Sequence, residues 1–89
     1  MKVSNMIGHS GEEVKNQFEI IADNGDIVFQ SYNSVIAKKT TKGIIYLDAD
    51  KWDYSTTTGK YRNIFLRENK ANTMKKIKDG VYILTNLNN

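Results

Sequence analysis

Apolar and polar residues alternate along much of the first half of the chain, and this spacing is typical of half-buried strands. Asn24-Gly25 separates two such runs and is a strong hairpin signal, because the tightest turns need positive φ at their central residues. Thr41-Lys42-Gly43 indicates a second turn of this kind. The pattern therefore predicts an antiparallel meander with strands at 17–22, 27–32, 35–40 and 44–48.

The N-terminal segment, residues 1–14, mixes glycine, serine and charged residues without a clear period. It is either a loose tail or a first strand. A chain of 89 residues is too short for two hydrophobic cores, so we expect one domain spanning residues 1–89.

After Asp53 the apolar spacing changes to the 3.6-residue period of a helix. Asp53 and Ser55 are good N-caps, because their oxygens can accept from the free N–H groups of a first turn. We expect a helix from 56 to about 68. Its buried face consists of Tyr61, Ile64 and Phe65, and its opposite polar stripe consists of Thr56, Lys60, Asn63 and Arg67.

A second, short helix is predicted at about 73–79, capped by Asn72 and ended by Gly80, with Met74 and Ile77 as its inward pair. A last strand follows at 81–87. The expected fold class is therefore α+β: an antiparallel meander of four or five strands, with the main helix (about 56–68) and the short helix (about 73–79) packed on one face.

Composition removes several classes of protein. There is no cysteine, so neither a disulfide framework nor a thiolate metal site can form, and a reducing compartment is favoured. The N-terminus has no apolar run of the kind found in secretory signals, and no segment approaches the length of a membrane span. We expect a cytoplasmic protein that does not contact a membrane.

Catalytic groups are scarce. The chain has one histidine, His9, and no cysteine, no nucleophile elbow and no phosphate-binding loop motif. We expect no enzyme activity, no catalytic residues and no cofactor. Asp48, Asp50 and Asp53 could together hold Mg²⁺ or Ca²⁺, but acidic residues before a helix more often stabilise its positive N-terminal end, so no metal site is predicted.

Charge is distributed unevenly. Residues 1–59 carry six lysines and eight acidic residues, whereas residues 60–78 carry seven basic residues and Glu68 alone. A basic segment beside a hydroxyl-rich helix start is suited to nucleic acid, because hydroxyls and helix N-termini bind phosphate and Arg or Asn can read base edges. The predicted nucleic-acid-binding residues are Thr56, Lys60, Arg62, Asn63, Arg67, Lys70, Lys75, Lys76 and Lys78.

Three aromatic residues, Trp52, Tyr54 and Tyr61, lie close to these basic positions. They could stack on the bases of a single strand. The more common role of a lone Trp before a helix is packing onto the sheet, and we favour that interpretation for Trp52.

One stretch also resembles a known family. Trp52-Asp53-Tyr54-Ser55, continuing through Thr57-Thr58, Lys60-Tyr61-Arg62 and Phe65-Leu66, forms the motif W-D-Y-S-x-T-T-x-K-Y-R-x-x-F-L. With matching segments over about 27–88, this motif resembles small uncharacterised proteins of phages, prophages and mobile plasmids of Gram-positive bacteria. The resemblance implies a mobile-element origin and a cytoplasmic setting, and it transfers no activity and no functional residues.

Two functions follow as hypotheses. The first is a mobile-element accessory protein that binds nucleic acid, most simply DNA, through the basic helical segment 56–78, with a homodimer as an open possibility. The alternative is a protein-binding inhibitor of a host defence system, such as an anti-CRISPR-like protein. The positive balance of the chain disfavours the acidic DNA-mimic version of that alternative.

Overall fold

Six strands form one sheet, and strands that are consecutive in sequence are neighbours in space. The computed structural model describes residues 1–88. The elements are β1 Lys2–Ile7, β2 Glu13–Ile21, β3 Ile27–Ser31, β4 Ser34–Lys39, β5 Ile45–Asp48, α1 Thr56–Leu66, α2 Lys70–Lys78 and β6 Tyr82–Thr85.

The strands from β1 to β5 pair antiparallel, and β6 pairs with β5 in parallel. Parallel pairing requires a long crossover connection, and the two helices provide it. The predicted α+β fold with a meander and two helices is confirmed. The segment 1–14 forms β1 and the start of β2, so its strand interpretation holds and the sheet has six strands rather than four or five.

Two glycine turns set the register of the central strands. Gly25 at φ 97° and Gly43 at φ 86° both adopt a left-handed conformation that side chains disfavour. Each turn is closed in the same way: the N–H of Gly25 donates to Ala22, and the N–H of Gly43 donates to Thr40. Both predicted turns are therefore confirmed.

Helix α1 packs across β3 and β4 through the residues that its period indicates. Tyr61 and Phe65 are buried, and the rings of Phe65 and Phe29 lie 5.7 Å apart between centroids. Ile64 is only partly buried, while Leu66, which simple amphipathicity leaves unexplained, belongs to the core. The helix ends at Leu66, two residues before the predicted end, because Arg67 adopts the left-handed conformation (φ 58°) and terminates it.

Polar contacts fix the position of α1 on the sheet. Ser55 caps the helix by accepting from the N–H of Thr58 at 3.1 Å. The buried hydroxyl of Thr58 lies 3.1 Å from that of Ser31 on β3. At the other end Lys39 of β4 donates to the carbonyl of Phe65, where a cation complements the negative end of the helix dipole.

Helix α2 differs from its predicted form. It begins at Lys70 rather than Thr73, because Asn69 is the N-cap and accepts from the N–H of Asn72 at 2.9 Å. Met74 is 52% exposed, so it is not an inward residue; Thr73, fully buried, takes that place. Gly80 follows the helix at φ 77° and donates to Ile77, which confirms its predicted role as the terminating glycine.

Both helices lie on the same side of the sheet, since α1 reaches Phe29 of β3 and the Glu68 that precedes α2 accepts from the Tyr82 hydroxyl of β6. We call α1, α2 and their connection, residues 56–78, the helix layer. Among the described residues, no helix is long and apolar enough to cross a membrane.

The core predicts the effect of one substitution. Phe65→Ala removes a ring that is 4% exposed and contacts Phe29, so it should lower the free energy of unfolding by about 3–5 kcal/mol. Urea denaturation measures this loss. Met74→Ala, at an exposed helical position, is the control and should change stability by less than about 0.5 kcal/mol. An unchanged midpoint for Phe65→Ala would show that α1 does not face the sheet in this way.

Candidate functional site

A buried arginine organises the start of the helix layer. Arg62 is 1% exposed, although sequence reasoning assigned it to a nucleic-acid-contacting surface. Its Nη1 donates to the carbonyl of Trp52 at 2.8 Å and to Asp53 at 3.0 Å, and its Nη2 donates to Asn63 at 3.0 Å. The guanidinium also lies 5.1 Å from the centre of the Trp52 ring. Arg62 is therefore a structural residue, and its guanidinium is not presented to a partner.

Asp53 links the two helices. One carboxylate oxygen binds Arg62 of α1, and the other binds Lys70, the first residue of α2, at 2.6 Å. Burial acts to raise the pKa of Asp53, but the hydrogen bonds and charges of Lys70 and Arg62 outweigh it and hold this pKa below its ordinary value. The ionised form is thus the one that joins the helices.

Glu68 forms a second internal site between the helices and β6. Its side chain is only 6% exposed, and it accepts from Lys76 at 2.6 Å, from Thr73 at 2.6 Å and from the hydroxyl of Tyr82 at 2.8 Å. Burial acts to raise the pKa of Glu68, and these three donors more than offset it, so the pKa is lowered. Burial and the same contact raise the pKa of Tyr82.

Two of the three carboxylates suggested as a metal site, those of Asp48 and Asp53, have other partners. Asp48 is buried and accepts from the N–H groups of Asp50, Lys51 and Leu87, so it closes the turn after β5 and fixes the C-terminal segment. Asp53 faces the helix layer instead. Within residues 1–88 no three acidic or histidine side chains come together as a metal-binding group.

A groove of about 1010 Å³ opens beside α1. Its wall is the outward side of α1, joined by the first turn of α2 and by His9 from the β1–β2 turn. The predicted residues Thr56, Lys60, Arg62, Asn63 and Lys70 line it, as do Ser55 and Asn69 at the two helix starts and the acidic residues Asp53 and Glu68. These positions place polar groups and charges of both signs around one concave surface.

The other predicted residues lie outside this groove. Arg67 lines a smaller cavity of about 360 Å³ next to Glu19 and Lys39. Lys75 and Lys78 are exposed on α2, whereas Lys76 is partly buried by its contact with Glu68. The nine predicted residues therefore form no single cluster: five line the groove, Arg62 among them although its side chain is buried, and four lie elsewhere in the helix layer.

The aromatic residues near the groove are mostly internal. Trp52 packs against the core and beneath Arg62, as favoured from the sequence, and Tyr61 is 8% exposed. Tyr54 remains 46% exposed and has the Lys51 ammonium 5.1 Å from its ring centre. Only Tyr54, of these three, offers an accessible ring for stacking.

Sequence reasoning missed the contribution of the C-terminal tail. The side-chain amide of Asn88 accepts from the N–H of Val35 at 2.7 Å and donates to its carbonyl at 3.0 Å. This amide thus pairs with β4 as a strand would, beyond the end of β5. Asn88 carries no local signal for such a contact, because its partner is more than fifty positions away.

The pKa of Glu68 predicts how stability depends on pH. Because the pKa is lower in the folded state, the stabilising contribution of Glu68 is present above its ordinary value of 4.5 and is lost as pH falls below it. Glu68→Gln should therefore flatten the acid limb of the stability profile between about pH 5 and 3. Asp79→Asn, which removes an exposed carboxylate at the end of α2, should leave that limb almost unchanged. Equal flattening by both variants would contradict the role of Glu68.

Burial of Arg62 predicts a loss of stability on its removal. Arg62→Met keeps most of the volume but leaves the Trp52 carbonyl and Asp53 without their shared donor, so the expected loss is about 3 kcal/mol. Lys60→Met, at an exposed position of the same helix, should cost less than about 0.5 kcal/mol. Thermal and urea unfolding of both variants would measure the difference, and equal stabilities would contradict the internal role.

Comparison with known proteins places the chain in a family without assigning it an activity. No curated protein and no solved structure matches it. A family model described as a family of unknown function, DUF8033, matches residues 1–80, so the chain belongs to that family.

Proposed function

We propose that this protein binds nucleic acid, in the first place DNA, through the outer surface of its helix layer. One observation carries the proposal. Glu68 is the only acidic residue between positions 56 and 78, and its carboxylate is buried, while Lys60, Arg67, Lys70, Lys75 and Lys78 are exposed. A segment with five exposed cations and no exposed carboxylate of its own attracts a polyanion, although Asp53 and Asp79 border it.

The groove beside α1 supports the same proposal. Lys60 and Lys70 flank it, and the starts of two helices open on it, so a phosphate there would meet ammonium groups and backbone N–H donors and would compete with Asp53 for Lys70. Asn63 lies at the groove and is the residue that would read a base edge. Lys75 and Lys78, both exposed on α2, would contact the backbone of the nucleic acid without selecting a sequence.

The biological setting is also a proposal. The resemblance of the motif Trp52–Leu66 to small proteins of phages and mobile plasmids favours an accessory role in a mobile element within a bacterial cell. A second candidate function is a protein-binding inhibitor of host defence. Apolar residues exposed on the sheet, such as Val3 and Ile83, favour this candidate, since such residues commonly mark protein contacts.

Salt dependence provides the test. Fluorescence anisotropy with duplex and single-stranded oligonucleotides at several salt concentrations should give a log–log slope of about −0.9 for each duplex phosphate neutralised. Lys75→Ala should weaken binding to all sequences alike and reduce the slope by about one unit. Asn63→Ala should change sequence preference, by about 1–3 kcal/mol for a lost base contact.

The matched control is Lys42→Ala, which removes an exposed lysine from the β4–β5 turn, outside the helix layer. It should leave both affinity and slope nearly unchanged. Absence of binding at low salt by the folded protein would contradict the proposal and favour the protein-binding candidate. Binding that is unaffected by Lys60→Glu and Lys75→Glu would show that nucleic acid is bound elsewhere.

A further inference from the structure

The sheet has an apolar row on the face that the helices do not cover. Cross-strand partners in a sheet point to the same face, so the pairing register identifies this row strand by strand. From β1 to β6 it consists of Val3, Ile20, Val28, Lys38, Tyr46 and Ile83. We call the surface centred on this row the open face.

The open face is separate from the hydrophobic core. Its apolar residues are absent from the buried cluster that packs beneath the helices. Val3 is 53% and Ile83 43% exposed, at opposite ends of the row. Phe18 and Val35 extend the apolar surface in the next row, on either side of Gln30. A sheet that is apolar on both faces has its second face available for burial against another layer.

The single charged residue of the row is already neutralised. The ammonium of Lys38 lies 3.9 Å from Asp26 and 5.9 Å from the centre of the Tyr46 ring. Its aliphatic stem therefore lies along the apolar row, with the charge held at the side by Asp26. Burying this face would not require burying an unpaired charge.

We propose that the open face binds a second copy of this chain, so that the two sheets pack face to face in a homodimer. The dimensions fit. The two longer extents of the molecule, 34 and 29 Å, limit the face to roughly 1,000 Å², and standard interfaces bury about 800 Å² per partner. Packed sheets approach to about 10 Å, a distance that apolar side chains from both copies fill.

The position of Lys38 selects the relative orientation of the two copies. A two-fold axis parallel to the strands, between β3 and β4, places β1 of one copy opposite β6 of the other and β3 opposite β4. Val3 then faces Ile83 of the second copy, and Val28 faces the stem of Lys38. No two Lys38 side chains oppose each other in this arrangement, whereas an axis along the row would place them together. The inference does not depend on the proposed function.

Multi-angle light scattering and sedimentation velocity over a wide concentration range test the proposal. The wild-type chain should approach twice its mass of 10.2 kDa. Val3→Glu and Ile83→Lys, at positions already exposed in the monomer, should each weaken self-association by tenfold or more while leaving circular dichroism and melting unchanged. Met74→Glu, on the helix layer, is the matched control and should associate as the wild type does.

Mixing the two variants tests the relative orientation of the two copies. An equimolar mixture of Val3→Glu and Ile83→Lys should associate more strongly than either variant alone, because the proposed axis brings these two positions together. A wild-type chain that stays at 10.2 kDa throughout would overturn the proposal and leave this face to a different protein partner. A dimer that survives both variants would place the interface elsewhere. DNA binding is read separately by anisotropy, so its failure would not be confused with either result.

Discussion

Two carboxylates, the buried one of Glu68 and the partly exposed one of Asp53, hold the helix layer together, and the rest of its surface depends on them. Asp53 joins Arg62 of α1 to Lys70 of α2, and Glu68 joins Lys76 to the sheet through Tyr82. Both carboxylates have lowered pKa values, because their donors outweigh the effect of burial. The single negative charge of residues 56–78, that of Glu68, therefore points inward, and the exposed charges of this segment belong to Lys60, Arg67, Lys70, Lys75 and Lys78.

The strand and helix pattern was largely predictable because its signals are local. Glycine at a left-handed turn, alternation along a strand and a capping serine each act over a few residues, and Gly25, Gly43 and Ser55 have the expected roles. The N-terminal strand β1 lacks such signals and is specified by pairing with β2. The start of α2 was misassigned because Asn69 and Asn72 are equally good caps by residue type, and only the fold selects Asn69.

The candidate site was less predictable, because partners distant in sequence decide it. Residue type and local charge placed Arg62 among the predicted nucleic-acid-binding residues, but Trp52 and Asp53 create a buried position for its guanidinium. The sequence does not distinguish Thr58 from the neighbouring threonines, because its hydroxyl partner, Ser31 of β3, is distant in sequence. Total charge does not distinguish an internal cation from an exposed one, whereas the hydrogen bonds do. Of the nine predicted nucleic-acid-binding residues, those on the outer surface remain as candidates.

A two-layer fold with one uncovered apolar face explains how both proposals fit one small domain. The sheet would contact a second copy, and the helix layers would then face outward on opposite sides of the dimer. If nucleic acid binds those layers, a dimer of this kind would hold two separate segments of nucleic acid. It would not read two adjacent half-sites, because that requires both reading elements on one side of the dimer.

The most direct test is an amide chemical-shift titration of the labelled protein with a short DNA duplex at low salt. Binding through the helix layer predicts that the largest shifts occur there and around the groove, at Lys60, Asn63, Lys70 and Lys75, while the amides of Val3, Val28 and Ile83 change little. Shifts concentrated on the open face, or none at all with the protein folded, would contradict it.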